Sequence, residues 1–112
     1  MGNTPLHLAA TNGHLQICMI ITKNAIEKAP RNSSGKTPVH FAAQYGYFDV
    51  CRFLIENIVD QNQGDKNGIT PLHLAAKFGQ LEICRLIIEV RTVLIVTLLC
   101  AQSTIEHSLI YP

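Results

Sequence analysis

The sequence contains no tryptophan, few aromatic residues (6%) and a low share of charged residues (15%). Its net charge is only +1, and no four Lys or Arg residues follow one another, so it lacks the basic stretch that attracts nucleic acids or anionic lipids. The charged and then apolar leader of a secretory signal is also missing. These absences argue against nucleic acid and a membrane as partners.

The sequence also lacks the short motifs of common catalytic sites. No Gly-x-Ser-x-Gly segment surrounds a serine, no glycine-rich phosphate loop is present, and the acidic residues are scattered without pairing. We therefore predict a protein that is not an enzyme and has no cofactor and no small-molecule substrate.

The sequence does contain a heptapeptide motif in three related copies. "TPLHLAA" occurs at residues 4–10 and 70–76, and "TPVHFAA" lies between them at 37–43. The copies are spaced by 33 residues, and aligning residues 2–21 with 68–87 gives 13 identities in 20 positions. A fixed period of this length indicates an array of repeats. We divide the chain into one domain at 1–90, with repeats at 2–34, 35–67 and 68–90, and a tail at 91–112.

Each repeat has the signals of two short helices. Thr4 can cap a first helix, Pro5 suits its first position, and Gly13 can end it in a left-handed conformation. A second helix follows with a broad apolar face. In successive repeats the residues of that face are Leu15, Ile17, Cys18, Ile20 and Ile21; Phe48, Val50, Cys51, Phe53 and Leu54; and Leu81, Ile83, Cys84, Leu86 and Ile87. The polar stretches at 29–36 and 61–68 are predicted turns.

These motifs resemble the ankyrin repeat over roughly residues 2–90. The matching pattern is Gly-x-Thr-Pro-Leu-His-x-Ala-Ala, followed by Gly and an apolar second helix. The resemblance implies an all-α fold, in which about three helix–turn–helix units with projecting loops stack into a solenoid. One departure is the loop after the second helix, where "AIEKA" at 25–29 and "IVDQN" at 58–62 replace the family's usual Gly-Ala-Asp-x-Asn. Without that glycine, we expect the second helix to run a turn longer.

The recurring histidines, His7, His40 and His73, raise the question of a metal site. Zinc ligands lie within about 2 Å of one ion, whereas equivalent positions of stacked repeats are about 8–10 Å apart. The histidines therefore form a ladder, and we predict no metal site. The ankyrin resemblance implies that each histidine hydrogen-bonds near its own threonine and the neighbouring loop.

Three of the four cysteines, Cys18, Cys51 and Cys84, recur at one position of the apolar face. Disulfide-bonded residues have Cα atoms within about 7 Å, and stacked repeats exceed that distance. We predict buried free thiols, which favour a reducing, intracellular compartment, the cytoplasm. Cys100 lies outside the pattern and is the cysteine that we expect to be exposed.

A surface for another protein is the remaining candidate site. The ankyrin resemblance places it on the loop tips and the outer side of each first helix, facing a concave surface. The corresponding residues are Thr11, Asn12, His14, Ser33, Ser34, Lys36, Gln44, Tyr45, Tyr47, Lys66, Asn67, Ile69, Lys77, Phe78 and Gln80. Tyr45 and Phe78 share one repeat position and are the candidate anchors; alternatively, they pack on neighbouring loops.

The two ends of the array do not follow the pattern. No polar cap precedes the first repeat, and residues 93–101 are apolar except for Thr97, a run too short for a bilayer. Three interpretations of the tail stay open: a cap over the third repeat, a departure caused by a frame shift or read-through, or a membrane-associated segment. We predict a non-catalytic protein-binding module; the alternative is a fragment of a larger multidomain protein with its catalytic, signalling or membrane domain elsewhere.

Overall fold

The computed structural model of the protein describes residues 2–25, 29–57 and 63–92. Over these residues the chain forms six α-helices and no strand, which confirms the all-α prediction. The helices are α1 (Pro5–Thr11), α2 (Leu15–Asn24), α3 (Pro38–Tyr45), α4 (Phe48–Glu56), α5 (Pro71–Lys77) and α6, whose residues 81–92 reach the end of the described part. They form three helix pairs, one for each repeat.

The Thr-Pro pair starts the first helix of every repeat. In the first repeat the main-chain N–H of Thr4 donates to Nδ1 of His7 at 3.0 Å, and the corresponding distances in the second and third repeats are 2.9 and 3.0 Å. Proline at the first helical position gives up no hydrogen bond, because that N–H would have no partner inside the helix. The histidine is thus part of the helix cap.

A glycine ends each of these helices. Gly13, Gly46 and Gly79 have φ angles of +72°, +80° and +71°, in the left-handed region that residues with a Cβ rarely adopt. The chain then reverses, and the N–H of His14 bonds the carbonyl of Ala9 at 2.9 Å. After this reversal the second helix of the repeat packs against the first.

The second helix is not extended. Helix α2 ends at Asn24, and Ala25 already has an extended backbone with φ −88° and ψ 141°. The prediction that α2 runs a turn longer into residues 25–29 is therefore wrong. The same prediction for the second repeat falls on residues 58–62, which lie outside the described residues.

The core fills the space within and between the repeats. Helix α1 packs on α3 and α3 on α5, while α2 packs on α4. Small side chains such as Ala10 and Ala43, both fully buried, let the first helices approach closely. The buried core comprises Leu6, Ala9, Ala10, Cys18, Val39, Ala42, Ala43, Val50, Cys51, Leu54, Ile55, Ala75, Ile83 and Ile87. Every repeat contributes to one continuous apolar layer.

Two polar turns project between the repeats, as predicted. In the first, the N–H of Asn32 bonds the Lys36 carbonyl and the N–H of Gly35 bonds the Asn32 carbonyl, both at 2.9 Å. The second turn repeats this arrangement from Asp65 to Ile69. The two turns therefore have one backbone geometry.

The predicted tail lies largely beyond these elements. Residues 91 and 92 are helical within α6, whereas residues 93–112, with Cys100, lie outside the described residues. The three interpretations of the tail and the domain boundary at residue 90 stay predictions. None of the helices within 2–25, 29–57 and 63–92 has the length and apolar character needed to cross a membrane.

Candidate partner-binding surface

The buried histidines join each repeat to the next one. Nε2 of His7 lies 2.7 Å from the carbonyl oxygen of Lys36, and Nε2 of His40 lies 2.8 Å from that of Ile69. Because the Nδ1 atoms accept the threonine N–H, the Nε2 atoms carry the proton and donate to these carbonyls. This is the threonine-and-loop pattern that the ankyrin resemblance implied.

Burial lowers the pKa of His7 and of His40 below the ordinary value, against an opposing contribution from the carbonyl hydrogen bonds. Both rings are therefore neutral at physiological pH, as their two hydrogen bonds require. No group of three His, Cys, Asp or Glu side chains within the described ranges could hold a metal ion. The arrangement of these histidines is that of a stacking element.

The repeat cysteines are free thiols within the core. Cys18 and Cys51 are fully buried, while Cys84 in the third repeat is half-buried. Burial raises the pKa of Cys18, and it raises that of Cys51 to about 12. Because only the thiolate is a good nucleophile, these two thiols are chemically inert packing groups.

An ion pair fastens the two projecting turns to each other. Nζ of Lys36 lies 2.8 Å from Oδ2 of Asp65, whose carboxylate is fully covered. The other carboxylate oxygen accepts the N–H groups of Asn67 and Ile69. The Lys36 hydrogen bond, against the cost of burial, lowers the pKa of Asp65 to about 2. Asp65 is thus an ionised, buried support of the second turn.

A second link between the turns runs through Arg31. Its guanidinium donates to the carbonyls of Gly35 and Gly64 at 2.9 and 2.8 Å and to Oε1 of Gln63 at 2.7 Å. The N–H of Lys66 also bonds the Ser34 carbonyl at 3.1 Å. The loop tips are therefore held to each other by contacts within the chain.

The predicted partner-binding residues divide by exposure into two groups. The half-buried ones are Thr11, Lys36, Gln44, Ile69 and Gln80; the exposed ones are Asn12, His14, Ser33, Ser34, Tyr45, Tyr47, Lys66, Asn67, Lys77 and Phe78. All five half-buried residues have polar groups in contacts inside the protein.

Tyr47 and Gln80 share one repeat position and cover the glycine of the preceding repeat. A Cβ added to Gly13 would lie 2.6 Å from the Tyr47 ring, and one added to Gly46 would lie 2.5 Å from Oε1 of Gln80. The Gln80 amide also donates to the Gln44 carbonyl at 3.2 Å. For these two residues the packing role is therefore visible in the structure.

Tyr45 and Phe78 are placed differently. They are 51% and 46% exposed, at the end of α3 and immediately after α5. Asn12 occupies the same position in the first repeat and is also exposed. Nζ of Lys77 lies 5.5 Å from the centre of the Phe78 ring, a cation–π distance. One exposed row, Asn12–Tyr45–Phe78, therefore runs along the ends of the first helices.

Charge is distributed unequally between the two sides of the array. Within the described ranges, the first helices and turns carry four basic residues (Arg31, Lys36, Lys66 and Lys77) and one acidic residue, Asp65, which is paired with Lys36. The second helices carry Asp49, Glu56, Glu82 and Glu89 beside Lys23, Arg52, Arg85 and Arg91, and are balanced. The candidate surface is consequently the basic side.

Sequence reasoning missed three residues that organise the turns: Arg31, Asn32 and Asp65. A signal for two of them was available, because residues 32 and 65 are one 33-residue period apart and each precedes a glycine by three positions. An Asx side chain there can bond the next backbone N–H groups of a tight turn. The bonds of Arg31 join separate turns and had no such signal.

Comparison with known protein families gives a match over most of the chain. The family model described as "Ankyrin repeats (3 copies)" matches residues 1–65 and 21–94. No curated protein matches the sequence. The family match spans all six helices described above.

Proposed function

The chain belongs to the ankyrin repeat family, and from that premise we propose that it binds another protein through its loop tips and first helices, without catalysis. Ankyrin repeats generally serve as protein–protein interaction modules. The observation that carries the proposal is the exposure of two large aromatic side chains, Tyr45 and Phe78, at one repeat position of a rigid array. Aromatic side chains on a well-supported surface are frequent anchors of binding energy.

The rigidity of the loop tips supports the same surface. Lys36, Asp65 and Arg31 tie the projecting turns together, so partner binding need not order them. A surface that is already ordered avoids part of the entropic cost of association. Binding at this side therefore gains affinity from the contacts that stabilise the stack.

The charge of this side indicates the chemistry of the partner. With Lys36 paired to Asp65, the basic groups left over are Arg31, Lys66 and Lys77. A partner that offers an apolar group to the aromatic row, flanked by acidic residues, would match both features. Complementary charge mainly accelerates association and weakens with added salt.

The test is a pull-down from cell extract with the wild-type chain and the double variant Tyr45→Ala/Phe78→Ala. We expect partners held by this surface to be lost from the double variant and their affinity, once purified, to fall about tenfold or more, as for hot-spot residues. Gln16→Ala is the control, since it truncates an exposed side chain of helix α2, outside the candidate surface, and should leave capture unchanged. Equal capture by the wild type and a folded double variant would contradict the proposal.

A second candidate is that these repeats belong to a larger multidomain ankyrin-repeat protein, whose catalytic, signalling or membrane domain lies outside this sequence. The observation that favours it is the exposure of Leu8 and Ile20 on the first repeat, at positions that later repeats cover more fully. The mass of the native protein, measured with an antibody raised against this chain, tests it. A native mass equal to that of this chain would overturn it.

We also propose an intracellular, cytoplasmic location, supported by the free thiols of Cys18, Cys51 and Cys84. Microscopy of the tagged protein, with a cytosolic marker as reference, tests this location. Retention in the secretory pathway would contradict it.

A further inference from the structure

The described part of the array has one exposed stacking face on its first repeat and another on its third. The N-terminal stacking face comprises Pro5, Leu8, Ile17 and Ile20 of the first repeat; the C-terminal stacking face comprises His73, Ala76, Gly79 and Ile88 of the third. Leu8 is 53% exposed and Ile88 is 52% exposed. Each face consists of exposed positions whose equivalents in the other repeats are buried or half-buried.

The second and third repeats have the same positions as the N-terminal stacking face, and there these positions are covered. Leu8 corresponds to Leu74, which is buried, and Ile17 corresponds to Val50 and Ile83, which are 1% and 2% exposed. The helices of Leu74 and Val50 pack on the preceding repeat, α5 on α3 and α4 on α2. The first repeat therefore has the same apolar surface that the second and third repeats use for stacking.

The first and second repeats have the same positions as the C-terminal stacking face, and there the repeat that follows covers them. Ile88 corresponds to Ile55, which is 1% exposed, and Ala76 corresponds to Ala10 and Ala43, which are fully buried. Among the described residues, none lies within 4 Å of a Cβ added to Gly79, whereas Tyr47 covers Gly13 in the first repeat. The third repeat therefore has the receiving half of the same interface.

The two faces also match in their hydrogen-bonding groups. His7 and His40 each donate from Nε2 to a carbonyl of the following repeat, at Lys36 and Ile69. Counting back one period of 33 residues from Lys36, the equivalent carbonyl of the first repeat belongs to Asn3, an exposed residue. Across a junction between copies, the exposed His73 would donate from Nε2 to the Asn3 carbonyl.

From this register we propose that two copies of the chain associate head to tail, with the C-terminal stacking face of one on the N-terminal stacking face of the other. The first and third repeats are identical at 13 of the 20 aligned positions, so the contact repeats an interface already present twice within each chain. An interface between two different faces leaves one of each free, so association can continue beyond a dimer. The occupant that we propose for each face is a second copy of the same chain.

Two single substitutions test this geometry by sedimentation velocity. Leu8→Glu places a charge in the N-terminal stacking face and Ile88→Glu places one in the C-terminal stacking face. Both residues are half exposed in the single chain, so we expect each variant to fold. Wild type should show a mass that rises with concentration, while each variant alone should remain a monomer.

The mixture of the two variants is the decisive sample. Leu8→Glu retains the C-terminal face and Ile88→Glu retains the N-terminal face, so an equal mixture should form a dimer that cannot extend. Gln16→Glu, at an exposed position outside both faces, is the matched control and should associate as the wild type does.

Three results would overturn the proposal. The first is a wild-type chain that stays monomeric together with a monomeric mixture. The second is self-association of Ile88→Glu alone, which would indicate that two N-terminal faces meet. The third is a monomeric wild type whose thermal stability is lowered by Ile88→Glu. That result would indicate that a segment of the same chain covers the C-terminal stacking face.

Discussion

The histidine of the middle repeat allows a sharp test of the stacking interface, because the third repeat contains a matched control. His40 is fully buried, and its ring connects the Thr37 N–H to the Ile69 carbonyl of the next repeat. His73 occupies the same repeat position but is exposed, and its bonds run to Thr70 of its own repeat. The substitution His40→Ala therefore removes a ring that contacts the next repeat. His73→Ala removes a ring that contacts only its own repeat.

These contacts determine how much unfolding free energy each variant is expected to lose. His40→Ala removes two hydrogen bonds worth about 1 kcal/mol each and leaves a cavity in the core, so we expect a loss of about 3–4 kcal/mol. His73→Ala removes one exposed bond, for which we expect about 1 kcal/mol or less. At about 4–8 °C of Tm for each kcal/mol in a domain of this size, the two variants should differ by roughly 10–20 °C.

The assay is thermal and urea unfolding followed by circular dichroism near neutral pH, in dilute protein so that copies do not associate. A large loss in His40→Ala and a small one in His73→Ala would support the role of the ring in stacking. Equal losses would refute the reasoning, since the ring would then act only inside its own repeat.

The same rings predict how stability depends on pH. Burial lowers the pKa of His7 and His40, so the unfolded chain binds more protons than the folded chain as pH falls through the histidine range. Their stabilising contribution is complete above about pH 6.5, the unfolded value, and is lost as pH falls through the folded values. Each ring changes stability by at most about 1.4 kcal/mol per pH unit in that window. His40→Ala should flatten the Tm profile there; an unchanged slope would contradict this.

Two further predictions concern the turns and the helix ends. Asp65→Asn keeps the oxygen that accepts the turn N–H groups but loses the charge opposite Lys36, and it should lower stability by about 1–2 kcal/mol. Because the pKa of Asp65 is lowered to about 2, the difference from wild type should shrink as the pH of the urea titration falls from about 4 towards about 2. Gly13→Ala should cost more than Gly79→Ala, since both have a left-handed φ but only the first places a Cβ 2.6 Å from the Tyr47 ring. Equal Tm values for the two glycine variants would show that the Tyr47 ring moves away from the added Cβ at no cost in stability.

The sequence by itself determined the repeat and its local structure. Thr-Pro at the start of the first helix, a glycine at its end and the 33-residue period depend on backbone geometry that neighbouring residues settle among themselves. The same spacing explained the histidines as a ladder and the cysteines as packing residues. It also drew attention to Tyr45 and Phe78, aromatic at a position where stacking requires no ring. Both are exposed in the structure, and their role as anchors stays a prediction.

The tertiary structure alone decided which repeat positions are covered. Leu8 and Leu74 carry the same side chain in the same motif, yet the first is half exposed and the second buried, because burial depends on a neighbouring repeat rather than on the motif. His40 and His73 differ for the same reason. The bonds of Arg31 to a turn 33 residues away, and the pairing of Lys36 with Asp65, join side chains that meet only when the repeats stack. Local patterns specify the unit, and contacts between units specify which of its surfaces remain available for binding.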